Sequence, residues 1–560
     1  MIPPPRRLTR GAAILATGLA ALSAPASAAS PRPIALSLTT LDLPAAPAAI
    51  VPADLNADGT RDLLIVTAHS SWGSISNDRI EDAVFVTEVV SALLDNRDAR
   101  AFLAQPGGGY KESGAPLDLP DTVHTIETGP PALPVVALTD DGVSVMRWRG
   151  DGETPGLVLE PVLQRPCALA RTGTLLNDLD VVRDVDGDGI LDLIFPGEAG
   201  LEIFHGADGG FEAQPVSSPV IPGSGSISGD FGVRFVQIPD IEDVTGDGTL
   251  DLVVRSLGAN GVAASVLRGL GGGRFADAVR IGSRCLETKP QARPAQQGNT
   301  PQGGKKGDPP VEESRQIGWF GDLDGDGRAE VVTLQEQEQR GSEFKDAKEP
   351  LVRYRLYHLK PDLSIDPAPY RTFDAKGHAG GGAPLGDDSA FLDLDGDHRK
   401  ELITITLDFS MLQALRVLTT KKISIGLEFH VYSQGADGSF TAVTGQTLDE
   451  KLRLDLNDLQ ISRLGQFQGD FDGDKRVDFV HLGRGKTVTI HRGQQGGRYP
   501  DNPDLSIELA QEVQDVMLVK IEDFDGDGRS DLAITRMLPQ PEAGVSAPAR
   551  VELRLSGAKP

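Results

Sequence analysis

The stretch RDVDGDGILDLIF, residues 183–195, sets Asp184, Asp186 and Asp188 at alternate positions and adds Asp192 four residues later. Carboxylates packed this closely repel one another unless a cation sits among them. Oxygen side chains at positions 1, 3, 5 and 9 of a tight turn, with a main-chain carbonyl at position 7, are the ligand spacing of a calcium loop. Calcium accepts about 6–8 oxygens, and such a turn lets alternate side chains converge on it.

The arrangement occurs seven times. The first copy offers Asp54, Asn56, Asp58 and Asp62, and the second is the one quoted. The third has Asp243, Thr245, Asp247 and Asp251, and the fourth has Asp322, Asp324, Asp326 and Glu330. The fifth has Asp393, Asp395, Asp397 and Glu401, and the sixth has Asp470, Asp472, Asp474 and Asp478. The last has Asp523, Asp525, Asp527 and Asp531. These residues are the expected ligands of up to seven Ca2+ ions. Glycine at position 6 supplies the positive φ that the turn requires. His398 and Lys475 stand at that position in two copies, which are expected to bind more weakly.

The elements that must hold these loops read as strands. DLLIV, DLIF, DLVV, EVVTL, ELITI, DFVHL and DLAIT follow the loops, short, apolar and rich in β-branched residues. Extended segments such as VRFVQIPDIED precede them. The ion therefore ties a β-hairpin, whereas an EF-hand would put a helix on each side. A third strand often follows (GLEIFHG, AASVLRG, TVTIHRG), then a glycine-rich turn with an aromatic and a fourth short strand. Four antiparallel strands per unit make a propeller blade.

This pattern resembles the FG-GAP and VCBS-type repeats of integrin α-subunit propellers and of many exported bacterial proteins, over nearly all of the chain after residue 31. The resemblance implies an all-β fold with calcium in the loops between first and second strands. It also implies a binding surface on the face away from calcium. Some calcium-rich eight-bladed propellers are polysaccharide lyases, so that activity is the alternative the resemblance carries.

Spacing gives the blade number. From Asp54 to Asp184 is 130 residues, nearly two of the later intervals, which average about 68 residues. The stretch 123–150 shows strand, turn, strand, strand without the acids, and Gly129-Pro130-Pro131 stands where a loop would be. An eight-bladed propeller is expected, the second blade lacking a metal loop. A seven-bladed ring with a long excursion at 100–165 is the alternative. Val135, Val136, Val143 and Val145 are expected to alternate between more and less buried faces. The last blade lacks a strand, which residues 33–43 would supply beside 551–555.

Residues 1–28 read as a secretory signal peptide: Arg6, Arg7 and Arg10 precede the apolar run Gly11 to Ala24, and Ala26-Ser27-Ala28 offers a cleavage site. No later run is apolar enough to span a membrane. An exported propeller domain over 31–560, periplasmic or extracellular, is the expectation, with a disordered linker at 289–314. Cys167 and Cys285, the two cysteines, leave one disulfide open. The net charge of −27 comes largely from the loops, so it does not demand a basic partner, and it argues against nucleic acid. Insertions at about 69–99, in QEQEQRGSEFKDAKEP and in FSMLQALRVLTTKKISIG fall between second and third strands, on the face opposite the loops. A protein or glycan ligand is expected there, on a monomeric scaffold. No G-x-S-x-G elbow exists in the sequence. The histidines show no metal-ligand spacing of their own, so no catalytic residue is assigned.

Overall fold

The apolar segments flanking each acidic loop pair with one another across it. In a computed structural model, residues 34–557 are described except 70–95, 151–154, 170–175, 177–178, 199, 208, 222–224, 227–233, 236, 259–260, 282–315, 338–348, 381–389, 409–421, 447, 456–459, 463–465, 483–485, 514–517, 540 and 542–544. The signal segment, the 289–314 linker, Cys285 and the centres of the three insertions lie outside the described residues. Strands Asp62–His69 and Asn96–Ala104 continue into what the sequence reading assigned to the first insertion, which is narrowed accordingly.

The chain is all-β, with small antiparallel sheets in a propeller arrangement. Ala46–Ala53 pairs with Asp62–His69, which pairs with Asn96–Ala104, which pairs with Tyr110–Asp118. Val123–Thr128, Val135–Thr139, Gly142–Arg149 and Gly156–Gln164 repeat that meander. Val182–Arg183, Asp192–Gly197 and Gly200–Phe204 form a shorter one, extended by the bridge from Ile203 to Ser217. Asp240–Glu242, Asp251–Gly258, Gly261–Leu267 and Val279–Ile281 follow, then Gln316–Gly321, Glu330–Gln337, Leu351–His358 and Arg371–Lys376. Phe391–Leu392, Glu401–Asp408 and the long strand Lys422–Gln434 come next, the last pairing with both Phe440–Ala442 and Leu448–Asp455. Gln466–Phe467, Phe479–His481, Thr487–His491 and Leu505–Glu508 form another meander.

The final meander draws on both ends of the chain. Val519–Glu522, Asp531–Met537 and Ala549–Ser556 pair in order, and Leu36–Leu43 lies antiparallel against the last, from Leu36 opposite Ser556 to Leu43 opposite Ala549. This register covers an edge that would otherwise offer a row of free N–H and C=O groups.

Each apolar cluster joins two consecutive meanders. Val51, Leu64 and Ala101 pack with Val123, Val135 and Met146, and Val136, Val143 and Leu138 pack with Val182, Phe195 and Phe204. The series returns to its start, where Phe524, Met537 and Leu553 meet Ile50, Leu63 and Phe102. A strand with neighbours on both faces has no solvent face. That corrects the expected alternation: Val135, Val136, Val143 and Val145 are all buried, at 0–1% exposure, because the second meander is sandwiched by the first and third. Its turn at 129–134 closes by Leu133 N–H donating to Pro130 O at 2.8 Å and Gly129 N–H donating to Pro134 O at 3.0 Å.

Candidate metal centres

Each acidic loop is organised by its first aspartate. Asp184 Oδ1 accepts the N–H groups of Gly187 at 2.7 Å and Asp188 at 3.2 Å, and its Oδ2 accepts that of Gly189 at 2.9 Å. Asp243, Asp322, Asp393, Asp470 and Asp523 gather main-chain donors in the same way. In the first loop Asp54 accepts from Asp58 and Gly59. The fifth-position acids Asp58, Asp188, Asp247, Asp326, Asp397, Asp474 and Asp527 each accept the N–H two residues on.

The turn uses positive φ at position 6, as the sequence implies, and also at position 4, which sequence reasoning missed. Ala57 (φ 59°) and Gly187 (φ 80°) are examples. His398 and Lys475 adopt φ of 69° and 68°, and their N–H groups still reach Asp393 and Asp470. These two residues therefore carry backbone strain without distorting the loop.

The ninth-position acid is held from two sides. One oxygen accepts the position-2 N–H, as in Val185 to Asp192 at 2.9 Å and Phe471 to Asp478 at 2.8 Å. In five loops the other oxygen accepts an N–H from the end of the third strand: Ala104 to Asp62, Gly206 to Asp192, Gly269 to Asp251, Gly493 to Asp478 and Ser556 to Asp531. Position 2 is always apolar and buried (Leu55, Val185, Val244, Leu323, Leu394, Phe471, Phe524), so it pins the loop to the core beneath.

Burial of these ninth-position acids, opposed by their hydrogen bonds and reinforced by neighbouring loop carboxylates, raises their pKa. Asp62 is pushed up to about 6, Asp478 and Asp531 to about 7, Glu401 to about 8 and Glu330 to about 9. Asp192 and Asp251 shift in the same direction for the same reason.

Consecutive loops are chained together. Ala329 N–H donates to Val244 O at 3.0 Å, Lys400 N–H to Leu323 O at 2.9 Å, and Val477 N–H to Leu394 O at 3.0 Å. Ser530 N–H donates to Asp470 O at 2.7 Å. The Arg61 side chain of the first loop donates to Asp523 O of the last at 2.8 Å. Among the described residues, position 8 of five loops thus bonds to position 1 or 2 of the loop before it, whereas the Asp184 and Asp243 loops show no such bond. Nothing in a ten-residue motif announces this contact.

These groups fit a hard cation. Asp184, Asp186 and Asp188 each bring an oxygen within 4.8 Å of the others, as do Asp322, Asp324 and Glu330, Asp393, Asp395 and Glu401, and Asp470, Asp472 and Asp474. Buried oxygens are left without hydrogen bonds: Thr245 Oγ1, on a residue 2% exposed, and Asp395 Oδ1, whose partner Oδ2 is held by Gly496 N–H at 2.6 Å. A buried polar atom without a partner is costly, and a cation would satisfy both. The Asp470 loop differs in carrying its own counter-charge, with Arg492 Nε 2.8 Å from the buried Asp472.

A model of the FG-GAP-like repeat matches residues 184–254, which contain the second and third loops. A search of curated proteins found no match. Among solved structures the chain is similar to a Photorhabdus luminescens Tc holotoxin pore, at 13% identity and TM-score 0.28, covering 91% of this chain and 23% of that one. It is also similar to the V. cholerae biofilm matrix protein Bap1, at 12% identity and TM-score 0.29, covering 94% of this chain and 92% of that one. The chain thus spans under a quarter of the first of these. The repeat match falls on two of the motifs that recur along the chain, and the meanders around them pack as propeller sheets. Residues 184–254 are thus similar to an FG-GAP-like repeat, within an all-β chain whose small sheets are arranged as in a propeller.

Proposed function

We propose that this chain is an exported, calcium-stabilised, eight-bladed β-propeller that acts as a non-catalytic scaffold for a protein or glycan ligand. The chaining of acidic loops from one meander to the next carries the reading. Loops that abut in sequence order share one rim, so the second-to-third-strand insertions share the other. Reading the pairings of the described strands as eight meanders, with Val123–Gln164 as the unit without an acidic loop, supports the eight-bladed proposal. The return of the core from the last meander to the first supports a closed ring.

In the loops, Asp54, Asn56, Asp58 and Asp62 and their counterparts would hold the ions. Bound calcium supplies positive charge among the carboxylates and so favours the folded state. The first aspartate orders the turn, the ninth-position acid anchors it to the second strand, and the apolar second position ties both to the core. Among the described residues no helix is long and apolar enough to cross a membrane, and FG-GAP proteins are commonly extracellular.

The test is a glycan array and a pull-down with purified protein in calcium, run beside an assay for unsaturated sugar ends released from acidic polysaccharides. Saturable binding without product supports the scaffold. Steady release of unsaturated product would replace it with the lyase reading.

A further inference from the structure

The residue facing the ninth-position acid from the end of the third strand is not constant. His358 pairs directly with Glu330, and one step beyond the last paired residues the register continues to His205 beside Asp192, Arg268 beside Asp251 and Arg492 beside Asp478. In the Asp184 loop this residue brings a nitrogen to two acids at once. His205 Nδ1 lies 3.6 Å from Asp186 Oδ2 and 3.5 Å from Asp192 Oδ1, and the three form a group whose ligand atoms all fall within 4.8 Å.

Those separations exceed an N–H···O hydrogen bond, which runs about 2.7–3.2 Å. They match two ligands on one tetrahedral divalent ion, where bonds of about 2.0–2.1 Å put neighbouring ligand atoms about 3.4 Å apart. Among the described residues His205 makes no side-chain hydrogen bond, and Asp186 Oδ2 accepts none. Asp192 is fixed by Val185 N–H at 2.9 Å and Gly206 N–H at 2.8 Å. The imidazole is backed by Gly273 of the next meander, where an added Cβ would come within 3.1 Å of His205 Cε1. Two carboxylates and an imidazole, held on adjoining strands and a turn, leave a fourth position open.

We propose that Asp186, Asp192 and His205 bind a divalent transition ion of the zinc class, and that this ion excludes calcium from the Asp184 loop. Imidazole favours such ions, whereas calcium selects oxygen. His358 shows the same strand position used differently. Its Nδ1 is 3.3 Å from Glu330 Oε1, and its ring stacks on Tyr370 at 3.9 Å.

The proposal shares Asp186 and Asp192 with the calcium reading, so the two are measured separately. Metal-stripped full-length chain, saturated with Ca2+, is titrated with Zn2+ against a chromophoric zinc chelator while released Ca2+ is counted. One tight Zn2+ per chain is expected, displacing one Ca2+. H205Q, verified to melt as the parent does, should weaken Zn2+ binding at least about tenfold and leave total calcium binding unchanged. Equal Zn2+ affinity in H205Q and parent, or loss of the Zn2+ site at saturating calcium, overturns the proposal. Histidine-dependent Zn2+ binding in a chain that takes no calcium would sink the calcium reading, and with it the exclusion of calcium, but would leave the Zn2+ site standing.

Discussion

Two kinds of carboxylate share each loop, and they should respond differently to mutation. Asp184 accepts the main-chain N–H groups of Gly187, Asp188 and Gly189. Asp184→Ala should therefore cost about 1–2 kcal/mol even in EDTA. Asp186 accepts one long bond, from Asp188 at 3.3 Å, so Asp186→Ala should be nearly neutral in EDTA and destabilising only with metal present. Urea denaturation of both variants with and without metal separates them. The raised acids give a pH signature. Without metal, the folded state binds protons more tightly than the unfolded chain at Asp62, Asp478, Asp531, Glu401 and Glu330. Their stabilisation is therefore present at low pH and is lost as pH rises through about 6 to 9. Between pH 5 and 9 the metal-free chain should lose stability as pH rises. Calcium must reverse that slope, because it binds the deprotonated acids. Denaturation midpoints across that range, with EDTA and with calcium, check the sign. Ligand spacing and position-6 glycines were legible in the sequence because they lie within ten residues. His205 and Arg492 were not, since strand pairing sets their surroundings; Thr245 was read as a ligand, but the burial that orphans its hydroxyl was not. A histidine or arginine just before the glycine that ends the third strand is the signal that would have found the first two.

At the scale of elements, the hairpin around each loop was readable because apolar, β-branched runs flank the acids at fixed distance. Burial was not, because period-two alternation presumes a solvent face. Val135 and Val136 lost theirs to neighbouring meanders that only the tertiary fold supplies. The second-position side chain is where loop and core meet. Phe524, fully buried, packs among Ile50, Leu63 and Leu553. Phe524→Ala should cost about 3–5 kcal/mol and lower the calcium affinity of its loop; chemical denaturation and calcium titration of that variant check both effects. Strain is separable from charge in the Asp470 loop. Lys475→Gly removes a side chain from φ 68° and should stabilise the chain by about 1 kcal/mol, read as a higher denaturation midpoint in calcium.

The whole molecule depends on closure. Leu36–Leu43 supplies the outer strand of the last meander across almost the full length of the chain. Its pairing was legible as an apolar extended stretch standing ahead of the first loop, next to a final unit short of one strand. Deleting residues 34–43 should expose the edge at Ala549–Ser556 and yield aggregation or a broad, non-cooperative melt, checked by calorimetry and light scattering. With five loop junctions bonded, loss of metal should be felt beyond the meander that loses it. The central claim is that calcium in these loops holds the fold, and a thermal melt in EDTA tests it most directly. The account predicts a marked fall in melting temperature, reversed by excess Ca2+ and only poorly by Mg2+, whose smaller octahedral shell these loops do not match. A melt unchanged by EDTA, or restored equally by Mg2+, would contradict it.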